Sequence, residues 1–266
     1  MNVYMFELRR TWKSAALWTA ILLAAMILLM AAVYPVYYES RSEIVSLLSN
    51  FPPEFLAAFG MAVDDIFSYG GFLSFSFMYL TLLGGIMAAL LGIDAFSREK
   101  RTRCVDFLLT KPSPRGRLFA AKLLAVITLI TAANILYIAA SLLVYRNLGQ
   151  NAALAGRAVL AASALFFTQL VILGASVFIA VYVKKIRSVS GFSMALGFGG
   201  FLLSVLHSLL KEDALRYVAP YKFFDVSKAL SEGRFESSYV VTAAVITLIF
   251  FILAYLRYCS GEAHAV

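Results

Sequence analysis

The residue types that could do chemistry are few in this chain, and their spacing excludes most reactions. His207 and His264 are its only imidazoles, so no His-Glu-x-x-His zinc helix can form. Cys104 and Cys259 have no metal-ligand spacing, and two thiols build no disulfide framework. The nearest nucleophile context, Gly174-Ala175-Ser176-Val177, lacks the second glycine of a nucleophile elbow or a rhomboid-type serine. There is no adjacent Glu-Glu pair for a membrane glutamate protease, and no Gly-x-x-x-x-Gly-Lys-Ser/Thr loop to cradle a nucleotide phosphate. Catalysis by this chain is therefore not expected, and the catalytic and metal sites are expected to be none. Within the long apolar stretches the polar side chains are Asn134, Gln169, His207 and scattered Ser and Thr. Asn134 and Gln169 are expected to bond between helices, a place on a substrate pathway being the lesser alternative. The lack of a mid-stretch ionisable group argues against a proton- or sodium-coupled pump.

The concentrated polar chemistry lies in Ser97-Arg98-Glu99-Lys100-Arg101-Thr102-Arg103-Cys104-Val105-Asp106-Phe107-Leu108-Leu109-Thr110-Lys111-Pro112-Ser113-Pro114-Arg115-Gly116-Arg117. Charges followed by Val105, Phe107, Leu108 and Leu109 predict a short amphipathic helix that Pro112 and Pro114 end. A solvated loop has no need of Phe-Leu-Leu, whereas a docking helix seats it in a partner groove and sets register with its charges. Arg115, Arg117 and Lys122 are expected to anchor the following helix at the headgroups.

The elements that must position this loop follow from composition. The chain has 266 residues, 62% hydrophobic and only 14% charged, against roughly a quarter charged in a soluble domain. It belongs in lipid. Six charge-free intervals are long enough to cross a bilayer, at about 14–37, 66–93, 123–145, 158–183, 188–210 and 237–256. The first is expected to remain as a span, because no small-residue cleavage pattern follows Tyr34, Pro35 and Val36. Of the 23 Lys and Arg, 15 fall on the side holding both termini, the loop 94–122 and the short 184–187 link. The positive-inside bias therefore predicts cytoplasmic termini and accounts for the net charge of +8 without nucleic acid.

Before the first span, Met1, Tyr4, Met5, Leu8 and Trp12 share a helical face, with Arg9, Arg10 and Lys13 elsewhere, which predicts an interfacial elbow helix. In the first external loop, Pro52 and Pro53 read as opening a short apolar helix that stops near Gly60. The external loop 211–236 carries Tyr217, Tyr221, Phe223 and Phe224 and is expected to lie at the outer interface, dip into it, or cap the bundle. Small residues in the second span (Gly84, Gly85, Ala88, Gly92) and in the fifth (Gly191, Ala195, Gly197, Gly199, Gly200) predict close helix packing. A flexible break at 197–200 is the lesser reading.

The loop resembles that of the ABC-2 family, the permease subunits of ABC exporters. Glu99, Asp106, Phe107, Leu108, Leu109 and Pro112, with Ser113, Arg115 and Lys122 slightly displaced, match that family's pattern; Arg103 and Cys104 stand where it usually has Gly-Thr. The layout matches too: an elbow, six spans, and a membrane-dipping segment before the last span, which 217–230 could supply. The resemblance implies an all-α integral membrane protein with a cytoplasmic coupling helix between spans 2 and 3. Two permeases would pair as a homodimer or heterodimer, with two separate ATP-binding subunits docked below; ATP and Mg would sit on those partners and no cofactor on this chain. The expected docking surface is Glu99, Arg101, Asp106, Phe107 and Leu109, with Arg9, Arg10 and Trp12 seating the elbow. The setting would be a bacterial cytoplasmic membrane. The alternative of different class is a membrane scaffold or sensor whose loop recruits another partner.

Overall fold

In the computed structural model the described residues are 3–52, 55, 56, 59, 61, 66–102, 114–210 and 212–260, and no strand occurs among them. The first span is α1 (Val3–Ile27), which continues through a π-helical stretch, Leu28–Val33, into α2 (Tyr34–Glu39). The wide turn has a local cause. Pro35 lacks an N–H and would clash with the carbonyl one turn back, and the i→i+5 register absorbs the misfit, with Tyr34 N–H donating to the Leu29 carbonyl. A surface helix, α3 (Arg41–Leu48), follows. The remaining spans are α4 (Tyr69–Thr102), α5 (Arg115–Asn147), α6 (Ala155–Tyr182), α7 (Val189–Leu210) and α10 (Ser237–Cys259), with the short α8 (Asp213–Arg216) and α9 (Val226–Glu232) between the last two.

The helices run several residues past the apolar intervals. Val3–Glu39 is 37 residues, or about 55 Å at 1.5 Å per residue, well beyond a hydrocarbon core of about 30 Å. Charge marks where the lipid ends; it does not end a helix. The interfacial elbow is accordingly corrected, since α1 is unbroken from Val3. Glu7, Thr11, Ala15, Thr19, Leu22 and Met26 form one inward stripe along it, and the Thr11 and Thr19 hydroxyls donate back to the Glu7 and Ala15 carbonyls at 2.9 and 2.7 Å. A buried Glu7 holds the first turns against the bundle.

At the centre stand α4 and α6. Their apolar windows are 78% and 67% buried, against 17% to 33% for the other four spans. Small residues allow this: a Cβ at Gly84 would lie 2.7 Å from Leu165 Cδ1, and one at Gly92 would overlap Ser176. Around this pair α1 packs on α5, α7 on α4 and α10 on α6. Spans α6 and α7 barely touch, leaving an apolar cleft of about 600 Å³ walled by Ile172, Ala175, Leu196, Gly199 and Phe250 and closed at one end by the loop at Tyr217–Phe223.

The loop before α10 does not lie flat outside. Tyr221 enters the bundle between α4 and α7, its hydroxyl donating to the Gly197 carbonyl at 3.2 Å. The ring fills the notches left by Gly85 and Gly200. With Ile86 against Gly197, these contacts keep α7 a continuous helix, so the break considered at 197–200 is absent. The short helix expected after Pro52 falls largely outside the described residues.

Candidate functional site

At the end of the bundle that carries both termini, charges from three spans converge and a tyrosine of a fourth joins them. Asp94 and Arg98 lie one turn apart on α4 and pair with each other. Arg98 Nη1 also donates to Glu7 Oε2 on α1 at 2.9 Å, and Arg101 Nη2 to Asp94 Oδ1 at 2.5 Å. Lys122 on α5 reaches Glu99 Oε1 at 2.5 Å, the Ala95 carbonyl at 2.9 Å and Glu7 Oε1 at 4.0 Å. Tyr258 on α10 donates to Glu99 Oε2 at 3.5 Å. Three carboxylates thus meet three cations. The Lys122 side chain is 2% exposed and Glu7 8%. An isolated ion so placed would cost several kcal/mol to desolvate, so neutrality of the cluster is what makes it tolerable. A fifth span joins through Lys100, whose ammonium donates to the Ala180, Val181 and Val183 carbonyls at 3.1, 2.7 and 3.2 Å. A cation there complements the negative end of the α6 dipole.

This clamp sits at the root of the 103–113 loop. The chain leaves α4 three residues after Glu99 and re-enters at α5 seven residues before Lys122, and those two side chains are bonded. The helix ends that flank residues 103–113 are thus tied to the bases of α1, α6 and α10 as well as to each other.

Of the expected docking residues, Asp106, Phe107 and Leu109 lie outside the described residues. Arg101 is exposed at the end of α4. Glu99 is corrected: its side chain is 14% exposed and turned inward to Lys122, because a buried ammonium draws the nearest carboxylate. Lys122 is likewise a clamp residue and not a headgroup anchor. Arg9, Arg10 and Trp12 face outward from α1, the Arg10 guanidinium 5.9 Å above the Phe6 ring. Sequence reading does not single out Glu7, takes Asp94 as a span boundary and Arg98 as part of the loop run, and reads Lys122 as a span boundary and headgroup anchor. The signal available for them is the i,i+4 spacing of Asp94 and Arg98, and the few acids, Glu7, Asp94 and Glu99 among them, on a side dominated by cations.

Halfway along the bundle, Asn134 Nδ2 donates to Gln169 Oε1 at 2.6 Å and to the Ile130 carbonyl at 2.8 Å, while Gln169 Nε2 donates to the Gly84 carbonyl at 3.1 Å. The chain of amides links α5, α6 and α4. Asn134 Oδ1 receives no donor among the described residues. Gln169→Leu and Asn134→Leu are each expected to lower unfolding free energy by about 1 kcal/mol, and the double variant by clearly less than the sum. Strict additivity in a detergent unfolding titration would show that the two amides do not act as a pair.

At the opposite end, Tyr34, Tyr69, Phe72, Tyr137 and Tyr145 form an aromatic cluster, Tyr34 edge-on to Tyr69 at 6.1 Å and Tyr69 edge-on to Tyr145 at 5.1 Å. His207 Nδ1 lies 3.2 Å from the Glu212 carbonyl, which can only accept, so Nδ1 carries the proton. Arg216 grips both oxygens of Glu236, at 3.2 and 3.1 Å, with its guanidinium 3.8 Å above the Tyr239 ring.

No group of three or more metal-ligating side chains exists among the described residues. No curated protein and no solved structure matches the chain. A family model described as ABC-2 family transporter protein matches residues 1–263. Six long apolar helices, four of them around a central pair, suit a component that moves something across a membrane; the chain belongs to the ABC-2 transporter family, as a membrane permease component of an ABC transporter.

Proposed function

We propose that this permease works in an exporter, pairing with a second permease copy or homologue and moving its cargo as two separate ATP-binding subunits, carrying ATP and Mg, close beneath the 103–113 loop. The observation that carries the reading is the charge clamp at the root of that loop, which joins it to five helix bases. A device that converts closure of a partner into helix movement needs such a rigid attachment, and a passive recruitment loop does not. The basic excess on the clamp side supports cytoplasmic termini, and the cytoplasmic membrane of a bacterium is the proposed setting. The apolar cleft between α6, α7 and α10 supports an amphipathic or lipid-like cargo.

Purification from native membranes in mild detergent, with mass spectrometry of what co-purifies and an ATPase assay of the eluate, tests the reading. A stoichiometric P-loop ATPase with activity is the expected result. A clean chain, recovered where a known exporter stays intact, would favour the scaffold. In the assembled complex, Phe107→Ala is expected to preserve membrane insertion and ATP hydrolysis while reducing transport at least about tenfold, as loss of a buried aromatic anchor does at interfaces. Normal transport by that variant would remove Phe107 from the docking surface.

A further inference from the structure

The apolar cleft between α6, α7 and α10 has an open side and a blocked end, and its volume restricts what can fill it. On α7 its wall is Ala195, Gly199 and Leu203, at i, i+4 and i+8, and on α10 it is Ile246 and Phe250, at i and i+4. The same two helix faces continue as Leu206 and Leu253, three residues further on, which are 41% and 39% exposed on the outside of the bundle. The cleft therefore opens sideways into hydrocarbon. Gly199 marks the gap most directly, since a Cβ there would meet no atom within 4 Å. The one polar side-chain atom among the lining residues is the Tyr217 hydroxyl, and a cavity so lined stays dry. Toward the end opposite the charge clamp the cleft is stopped. The loop before α9 dips into the bundle until Tyr221 bonds the Gly197 carbonyl, and Val218, Pro220 and Phe223 of that loop close the cleft there. The approach left open is from the leaflet on the clamp side.

Volume decides between occupants. A helix with its side chains is about 10–12 Å across and about 5.4 Å long per turn. The cleft, at about 600 Å³, therefore holds little more than one turn of a partner helix, where a span needs about 20 residues. A chain carbon takes up roughly the space of a water molecule, about 30 Å³, so the same volume holds about twenty of them, the scale of lipid chains. We propose that the cleft takes the alkyl chain ends of a lipid-like amphiphile from the leaflet on the clamp side, the head group staying at that leaflet and the chain tips meeting Val218 and Phe223. The inference deepens the exporter reading by naming the chemical class of the cargo and the side from which it loads. It rests on that reading for the cargo role alone, because binding is a property of this chain.

The full-length chain in mild detergent, without an ATPase partner, would be photolabelled with phosphatidylcholine carrying a diazirine at the chain terminus or beside the ester, and the labelled residues mapped by mass spectrometry. The terminal probe is expected on Ala175, Val218 and Phe223, and the ester-side probe is expected to miss Val218 and Phe223. Gly199→Phe fills the gap and should lower cleft labelling at least about tenfold, and Ala175→Phe should do the same from the facing wall. Gly156→Phe, equally free of neighbours within 4 Å but outside the cleft near the start of α6, should leave the labelling unchanged. All three variants should remain monodisperse on size exclusion. Labelling as dense on the exposed faces of α1 and α5 as in the cleft, or undiminished in both cleft variants, would overturn the proposal, and so would ester-side labelling of Val218 and Phe223. Conversion of a dimer to a monomer by Gly199→Phe would put a second copy in the cleft and overturn it as well. A purification that yields no ATPase overturns the exporter reading and leaves the labelling result standing, so the two failures are distinct.

Discussion

Replacing Lys122 by methionine is expected to lower the unfolding free energy of the permease by about 3–5 kcal/mol, the range for breaking a buried ion pair from one side. Methionine nearly matches the lysine in volume, so packing changes little. What changes is charge. Glu99 loses its 2.5 Å partner and keeps, among the described residues, the Tyr258 hydroxyl, Glu7 keeps Arg98, and the cluster of described charges goes from three against three to a surplus carboxylate. The control is the double variant Glu99→Gln/Lys122→Met, which removes both charges and should recover at least about half of the loss, since neutral isosteres of a buried pair are often tolerated. Unfolding by denaturant titration in detergent measures both. A wild-type midpoint for Lys122→Met would mean that the clamp is solvated and carries no load. Where the complex can be assembled, the double variant is the informative one for function. It is expected to fold, but with the loop root freed from α5 it should hydrolyse ATP with less transport per turnover.

The six spans are legible because a charge in hydrocarbon costs several kcal/mol, so the intervals between charges report the lipid directly. The elbow shows the weakness of the same signal. Exposed Met5 and Trp12 beside Arg9 and Arg10 fit a helix lying flat in the interface and equally an upright one whose outer face meets headgroups. Glu7, inward on the same helix, decides for the upright arrangement, and its partner Arg98 stands 91 residues away. A charge at a span boundary looks identical in sequence whether it is hydrated or paired. For that reason Lys122 reads as an anchor and Glu99 as a docking residue until their separation is known.

The polar amides were easier. Asn134 and Gln169 stand alone in apolar runs, and an unpaired amide there is costly enough that interhelical bonding is the natural expectation. Which helices they join is not contained in the pattern. The same holds for the aromatic loop: Tyr217 to Phe224 announces contact with something apolar, but the insertion point depends on Gly85, 136 residues earlier, and on Gly197. Small residues mark where a neighbour can approach, without naming the neighbour.

Tyr221→Ala is expected to cost about 3–5 kcal/mol, as truncation of a buried aromatic does. The ring is 7% exposed and joins α4 to α7 while its neighbours Pro220 and Lys222 wall the apolar cleft and a polar one on either side. Loss of the ring should therefore loosen both clefts as well as the bundle. A truncation of this size could act through many contacts, so the wedge geometry is better tested by a pair of smaller changes. Tyr221→Phe removes only the hydroxyl and its 3.2 Å bond to the Gly197 carbonyl, an expected loss of about 1 kcal/mol. Gly85→Ala places a methyl against that hydroxyl and should cost about 1–3 kcal/mol through overpacking. With the oxygen gone, the nearest ring atoms lie 3.0 Å from the new methyl, a contact that a small ring shift relieves. Gly85→Ala/Tyr221→Phe should thus be more stable than Gly85→Ala alone, an inversion in which a second destabilising change rescues the first. Additive losses would place Tyr221 away from Gly85, and with it the whole loop that closes the apolar cleft.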